Sequence, residues 1–214
     1  MPKMRSRTRA SHKVAVPHPE QTAQRYEAIV RELQQKFRDL GRRIKEGDES
    51  QLHIWIIPDV LAGCHRPLRH NRLYGGSARS LDAQAAPLAI AWARHMKGQG
   101  FRSIISLMSD EEVALYSRLE LDAADLLEFY KKQGFVVASI PWKDPAHVRT
   151  DPRALKAKEI SVSREAIRAL NDLPKPILLH CSAGEDRSAP VLAFIAENWH
   201  ANRGGAPELA VAQS

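Results

Sequence analysis

Residues 176–199 read PILLHCSAGEDRSAPVLAFIAENW, a strand-type run, a loop and a helix-type run in succession. Ile177 to Leu179 is a short apolar run of strand type, and Val191, Leu192, Ile195 and Trp199 recur at helical spacing, so the segment that follows has one buried face. Between the two lies His180-Cys181-Ser182-Ala183-Gly184-Glu185-Asp186-Arg187-Ser188. A loop so placed leaves the carboxyl end of a strand and enters the amino end of a helix. Unsatisfied backbone N–H groups and the helix dipole make that position an anion site. Gly184 allows the loop to wrap tightly, and Arg187, expected in the first helical turn, offers a planar fork for two anion oxygens. Cys181 is expected beneath the cradle formed by Ser182, Ala183, Gly184, Glu185, Asp186 and Arg187, where the same field favours a thiolate. The competing reading, a small buried core cysteine, is met by the spacing: such a pattern arises by chance in roughly one chain in ten thousand.

Upstream, short apolar runs alternate with helical segments, the signature of an α/β domain with a central, mostly parallel sheet flanked by helices. Strands are expected at Leu52 to Ile57, Arg102 to Leu107, Phe135 to Ile140 and Pro176 to His180, with an added edge strand at Val60 to Ala62. Helices are expected over Pro87 to Lys97 and Asp122 to Gln133, ended by Gly98 and Gly134. Ser109 caps a short acidic helix, Asp110 to Tyr116, and Asp151-Pro152 opens a helix running towards Asp172.

Ahead of this domain, Tyr26, Val30, Leu33, Phe37, Leu40 and Ile44 form one stripe of a helix spanning Pro19 to Glu46, stopped by Gly47. The stripe must be covered, by docking on the following domain or by pairing with a second chain. The expected organisation is a flexible basic arm over 1–18, this amphipathic helix over 19–47, the domain over 48–200 and a flexible tail over 201–214.

The 214 residues carry 43% hydrophobic and 27% charged side chains, with no apolar run long enough to span a bilayer. The arm lacks the apolar core of a secretory signal. Five of the positive charges behind the net +7 lie there, at Lys3, Arg5, Arg7, Arg9 and Lys13, so weak contact with a polyanion is expected of the arm. Two cysteines, Cys64 and Cys181, build no disulfide framework and fit a reducing compartment; a cytoplasmic location is expected.

Cys181, five residues, Arg187 and Ser188 together resemble the signature of the cysteine-based protein tyrosine phosphatase superfamily. More loosely, Trp55-Ile56-Ile57-Pro58 and Leu61-Ala62-Gly63 are similar to the opening of small atypical dual-specificity phosphatases. The resemblance implies a phosphatase-type fold with an extra N-terminal helix, no cofactor and no metal. It also implies hydrolysis of a phosphoric monoester through a cysteinyl-phosphate, with Ser188 easing departure of the thiolate and His180 fixing the loop. A phosphorylated protein, on tyrosine or serine/threonine, is the expected substrate; a phosphoinositide, nucleotide or RNA 5′ phosphate is the alternative, as is a phosphate-binding module without turnover. The acidic pair Glu185 and Asp186 disfavours poly-phosphorylated substrates.

A proton donor must stand over the loop. Asp144, in Ile140-Pro141-Trp142-Lys143-Asp144-Pro145, resembles the acid of a mobile loop in that superfamily, although aspartate before proline also opens turns. Asp186 competes from within the loop, as in bacterial relatives with a similar Gly-x-Asp-Arg run. Cys64 is either a buried structural thiol or a partner able to trap oxidised Cys181. Cys64-His65 and His180-Cys181 are adjacent pairs that match no recognised zinc spacing. Arg66, Arg69 and Arg72 are candidates for a second anion contact or ordinary solvated charge. Small dual-specificity enzymes usually add two helices after the loop helix; here the N-terminal helix is the candidate cover for that surface.

Overall fold

A computed structural model describes residues 19–76, 81–149 and 151–201; the basic arm and nearly all of the expected tail lie outside the described residues. Five strands form one sheet in the order β1-β2-β5-β3-β4, where β1 is His53–Ile57, β2 Leu61–Cys64, β3 Ser103–Ser106, β4 Val136–Ser139 and β5 Ile177–His180. Among the described residues only β1 and β2 pair antiparallel; β2, β5, β3 and β4 run parallel. The expected edge strand at Val60 to Ala62 is instead β2, an inner strand paired with β1 on one side and β5 on the other. Its small residues Ala62 and Gly63 suit that crowded position, where the ring of Phe37 and the side chain of Leu192 close over Gly63.

The period of two along the strands sorts side chains into two core layers. Ile177, Leu179 and Ile105 pack with α1 (Pro19–Glu46), α5 (Pro152–Asp172) and α6 (Ser188–Ala201), whereas Leu178 and Ile104 pack with α2 (Ala86–Gly98) and α4 (Leu126–Lys132). The result is α/β, a mostly parallel sheet between helical layers with a long N-terminal helix, as the alternation of apolar runs implies.

Helix α1 has the expected bounds, and its stripe docks on its own domain. Leu33 and Phe37 are fully buried, Ile29 and Leu40 nearly so, and each such side chain stabilises the docking by about 1.5–3 kcal/mol. Tyr26 adds a hydroxyl that donates to Glu159 Oε1 of α5 at 2.7 Å. The helix packs along α6.

Two helices are shorter than their sequence windows. The segment expected over Asp122 to Gln133 becomes helical only at Leu126, because the Asp125 carboxylate accepts the Glu128 N–H and fixes the start there. Helix α3 covers Asp110–Ala114, and Leu115 to Ser117 continue as turns that carry the Tyr116 ring inward. Among the described residues no helix is long and apolar enough to cross a membrane.

Candidate active site

Strands β2, β5 and β3 end in register, with Cys64 and Ser106 flanking His180, so Cys181 is the first residue past the carboxyl edge of the sheet. The His180 ring lies with Nδ1 2.9 Å from the Cys181 carbonyl and Nε2 3.1 Å from the Tyr130 hydroxyl. A carbonyl only accepts, so Nδ1 carries the proton and Nε2 accepts from Tyr130. Burial pushes the His180 pKa down to about 4, and the neutral ring pins the loop's first peptide without adding charge.

Cys181 is 2% exposed, and the Gly184 N–H donates to its Sγ at 3.2 Å, a contact that stabilises negative charge on sulfur. The loop is held from both sides. From within, Arg66 donates its backbone N–H to the Ser182 carbonyl at 3.2 Å and its Nε–H to the Ser182 hydroxyl at 3.2 Å. From outside, α1 supplies Phe37, Gln34 and Arg38. Gly184 has φ +81°, and a Cβ there would lie 2.3 Å from the Phe37 ring, so both backbone and packing demand glycine. Gln34 Nε2 donates to the Glu185 carbonyl at 3.4 Å, and Arg38 pairs with the Glu185 carboxylate at 3.3 Å. Since a trans peptide points its C=O and N–H opposite ways, drawing the Glu185 carbonyl outward turns the Asp186 N–H towards the cradle.

Arg187 immediately precedes α6 rather than lying within it, and its side chain is wholly buried. Nη1 donates to Glu112 Oε2 at 2.5 Å and to the Trp142 carbonyl at 2.8 Å; Nη2 donates to Glu112 Oε1 at 2.7 Å and to Asp144 Oδ2 at 3.3 Å. The Arg187 Nε–H and the Ser188 hydroxyl are buried without a protein partner. Unspent donors in such a place cost free energy unless something accepts from them.

Glu112 is the site residue that the sequence reading missed. It is the third residue of α3, where its carboxylate accepts the Ser109 N–H at 3.0 Å and completes a capping box. The Ser109-x-x-Glu112 pattern just beyond a strand could have drawn attention to it. Burial works against its charge, but the Arg187 hydrogen bonds and charge outweigh that and hold its pKa below the usual carboxylate range.

Above the loop is a cleft of about 430 Å³, with Arg69, Lys143, Asp144, Glu185 and Asp186 among its walls. Both roles considered for Asp144 concern one side chain: Oδ1 accepts the Ala146 N–H at 3.0 Å, capping the 3-10 turn Pro145–His147, while Oδ2 faces Arg187. Asp186 stands exposed on the rim; the protein mass around the loop and then the Asp144 charge push its pKa up. Of the three arginines after β2, only Arg69 lines this cleft. Arg66 is buried, and Arg72 turns away to donate to the Lys45 carbonyl at the end of α1. Cys64 is a buried thiol whose pKa is raised by burial and then by Cys181; neither cysteine is bridged.

No protein-family model matches the chain, and no curated protein matches it. Among solved structures, it is similar to kinase-associated phosphatase (KAP) with its catalytic-site cysteine replaced by serine, at 16% identity and a TM-score of 0.39 over 63% of this chain and 65% of that one. It is also similar to Tk-PTP in its active form, at 18% identity and a TM-score of 0.38 over 72% of this chain and 76% of that one. The chain thus spans slightly less than two thirds of the KAP chain. Likeness at this level concerns the fold alone, and the chemistry has to be read from the residues.

Proposed function

We propose that this chain hydrolyses phosphoric monoesters through a cysteinyl-phosphate on Cys181, with phosphorylated proteins, on tyrosine or serine/threonine, as its substrates. The observation that carries this reading is the pair of buried, unpartnered donors, Arg187 Nε–H and the Ser188 hydroxyl, beside a sulfur that already accepts an N–H from Gly184. Phosphate oxygens are the natural acceptors for Arg187, whose other nitrogens are held by Glu112 so that the fork cannot swing away.

In the first step Cys181 Sγ attacks phosphorus, the S–P bond forms and the P–O bond to the leaving group breaks. Loop amides and Arg187 hold the equatorial oxygens. The leaving oxygen takes a proton from a carboxyl group above the loop. Sequence reasoning favoured Asp144 for this, with Asp186 second; the geometry supports the reverse order. Asp144 has its two oxygens engaged by an N–H and by Arg187, which leaves neither turned to the leaving group. The protein around the loop and then the Asp144 charge push the Asp186 pKa up, the direction a proton donor needs. Water then attacks phosphorus, Asp186 accepts its proton, and the Ser188 hydroxyl stabilises the departing thiolate.

The substrate reading follows from the cleft's charge. Glu185 stands at the mouth, and its charge disfavours a ligand with several phosphates. Hydrolysis of an aryl phosphate by wild type and by Cys181→Ser under reducing conditions tests the enzyme reading. Turnover only in the wild type is expected. Equal rates, or none from either protein, would reject it.

A further inference from the structure

Between the end of α1 at Ile44, the segment that follows β2, and α2 lies a second cavity of about 240 Å³ that the reaction does not use. Its body is apolar, with Leu52, Leu68 and Trp92 inside and Leu88 at the rim. Its polar groups are unusual. His70 is 9% exposed and both of its ring nitrogens are buried without a hydrogen-bond partner; His95 Nε2, on α2, is in the same condition. A buried imidazole with no partner is costly, and three in one cavity lining, His65, His70 and His95, call for a ligand or for ordered water. The volume exceeds what one or two waters fill, since a water occupies about 30 Å³ of liquid.

The cavity's charge narrows the choice. Arg66 and Arg69 are in its wall, and among the described residues Glu49 at the exposed rim is the single acidic one that lines it. Arg66 is 2% exposed, and its guanidinium donates to uncharged acceptors: the Ser182 and Tyr116 hydroxyls and the carbonyls of Pro67 and Gly76. Glu112, whose carboxylate feels the Arg66 charge, is taken by Arg187. Burial, then the fields of Arg69, Lys45 and Arg66, hold His70 neutral, so its ring offers one donor and one acceptor. Among the described residues no three ligating side chains converge as a metal site would require. An apolar hollow with a positive wall and the neutral His70 ring as a donor suits an organic anion with a ring-sized body.

We propose that this cavity binds a compact carboxylate with an apolar ring, and that its occupancy is felt by the loop carrying Cys181 through Arg66 and His65. The route is short. Arg66 makes two hydrogen bonds to Ser182, and His65, packed edge-on against His70 with centroids 4.3 Å apart, lies beside the Ala183 carbonyl. The coupling to the loop, though not the binding itself, rests on the phosphatase reading.

Benzoate is the probe, with benzamide as its uncharged isostere, titrated into the full chain in excess inorganic phosphate and followed by the histidine ring resonances. Saturable shifts of His70 and His95 are expected, with benzamide binding at least about fivefold more weakly. Leu88→Glu places a negative charge at the exposed rim, outside the catalytic machinery. It should weaken benzoate about tenfold, equivalent to about 1.4 kcal/mol, and leave benzamide unchanged. Absence of saturable shifts, shifts seen only without phosphate, or equal benzoate affinity in Leu88→Glu would each overturn the site. In the second arm, benzoate should change kcat on an aryl phosphate without raising KM; an unchanged kcat with binding intact would remove the coupling alone. A chain without turnover would sink the phosphatase reading and leave the binding result standing.

Discussion

Arg187 and Glu112 meet as a two-pronged pair, Nη1 to Oε2 at 2.5 Å and Nη2 to Oε1 at 2.7 Å, across 75 residues of sequence. The pair fixes the plane of a wholly buried guanidinium and leaves its Nε–H facing no protein acceptor. Glu112→Gln should therefore act on both stability and catalysis. Removing one partner of such a pair costs about 3 kcal/mol at this degree of burial. Chemical denaturation should show that loss, and kcat/KM should fall about a hundredfold as the fork loses its orientation. Because the Glu112 pKa is depressed by Arg187, the stabilisation is complete above its unfolded value near pH 4.3 and fades as pH falls through the folded value. In Glu112→Gln that acid-side slope should be shallower; an unchanged slope would mean that the pair contributes nothing to the pH response.

A second pH window belongs to the buried histidines. His53, His70 and His180 are each pushed down to about 4, chiefly by burial, with neighbouring charges or rings adding to it and, for His180, the hydrogen bond to the Cys181 backbone partly opposing it. Between about pH 6.5 and pH 4 the unfolded chain binds more protons than the folded one, so stability falls as pH falls through that range. Thermal midpoints measured from pH 7 to 4 should decline steadily. His180→Asn should flatten the decline while lowering the midpoint at pH 7, where the contact with Tyr130 is lost.

The Asp186 and Asp144 roles separate by leaving group. Asp186→Asn should slow an alkyl phosphate by at least about a hundredfold and a good aryl leaving group far less. Asp144→Asn removes a like charge beside Asp186, which lowers the Asp186 pKa and moves the basic limb of the kcat profile to lower pH. If instead Asp144→Asn gives the strong leaving-group dependence, the donor is Asp144.

Helix α1 reaches the loop through three side chains of different kinds. Phe37→Ala opens a cavity against Gly184 and Gly63 and should cost about 3–5 kcal/mol. Arg38→Ala removes an exposed pair of small stability value but leaves Glu185 uncompensated at the mouth. Its KM should rise at low ionic strength and return towards wild type in high salt, and Glu185→Gln should restore it. A KM equal to wild type at low salt would rule out an electrostatic role for the pair.

Gly184→Ala meets two obstacles at once, a φ of +81° and the Phe37 ring at 2.3 Å. Activity should be lost and the thermal midpoint lowered, the strain alone contributing upwards of about 1 kcal/mol. Full activity in this variant would mean that the loop does not need its present shape.

Much of the architecture is written in signals that act between residues close in the chain. The bounds of α1 follow from a stripe repeating every three or four residues and from Gly47, with φ +94° just past its end; those of α5 follow from Asp151 capping and Pro152. The loop from Cys181 to Ser188 is recognisable because every element of it is local: a strand before, a glycine at the turn, a helix after. What these residues meet across the fold is another matter. Glu112 lies 75 residues from Arg187, and Gln34 lies 151 from Glu185. The inner place of β2, the docking of α1 against Gly184 and the turning of Arg66 into the interior are likewise choices among partners distant in sequence. Caps and periodicity are decided by energies available within one turn or one strand, so most elements, and the loop between β5 and α6, are legible in the sequence. Only the packed tertiary structure decided which carboxylate holds Arg187 and which helix braces the loop, because burial alone brings those groups within range.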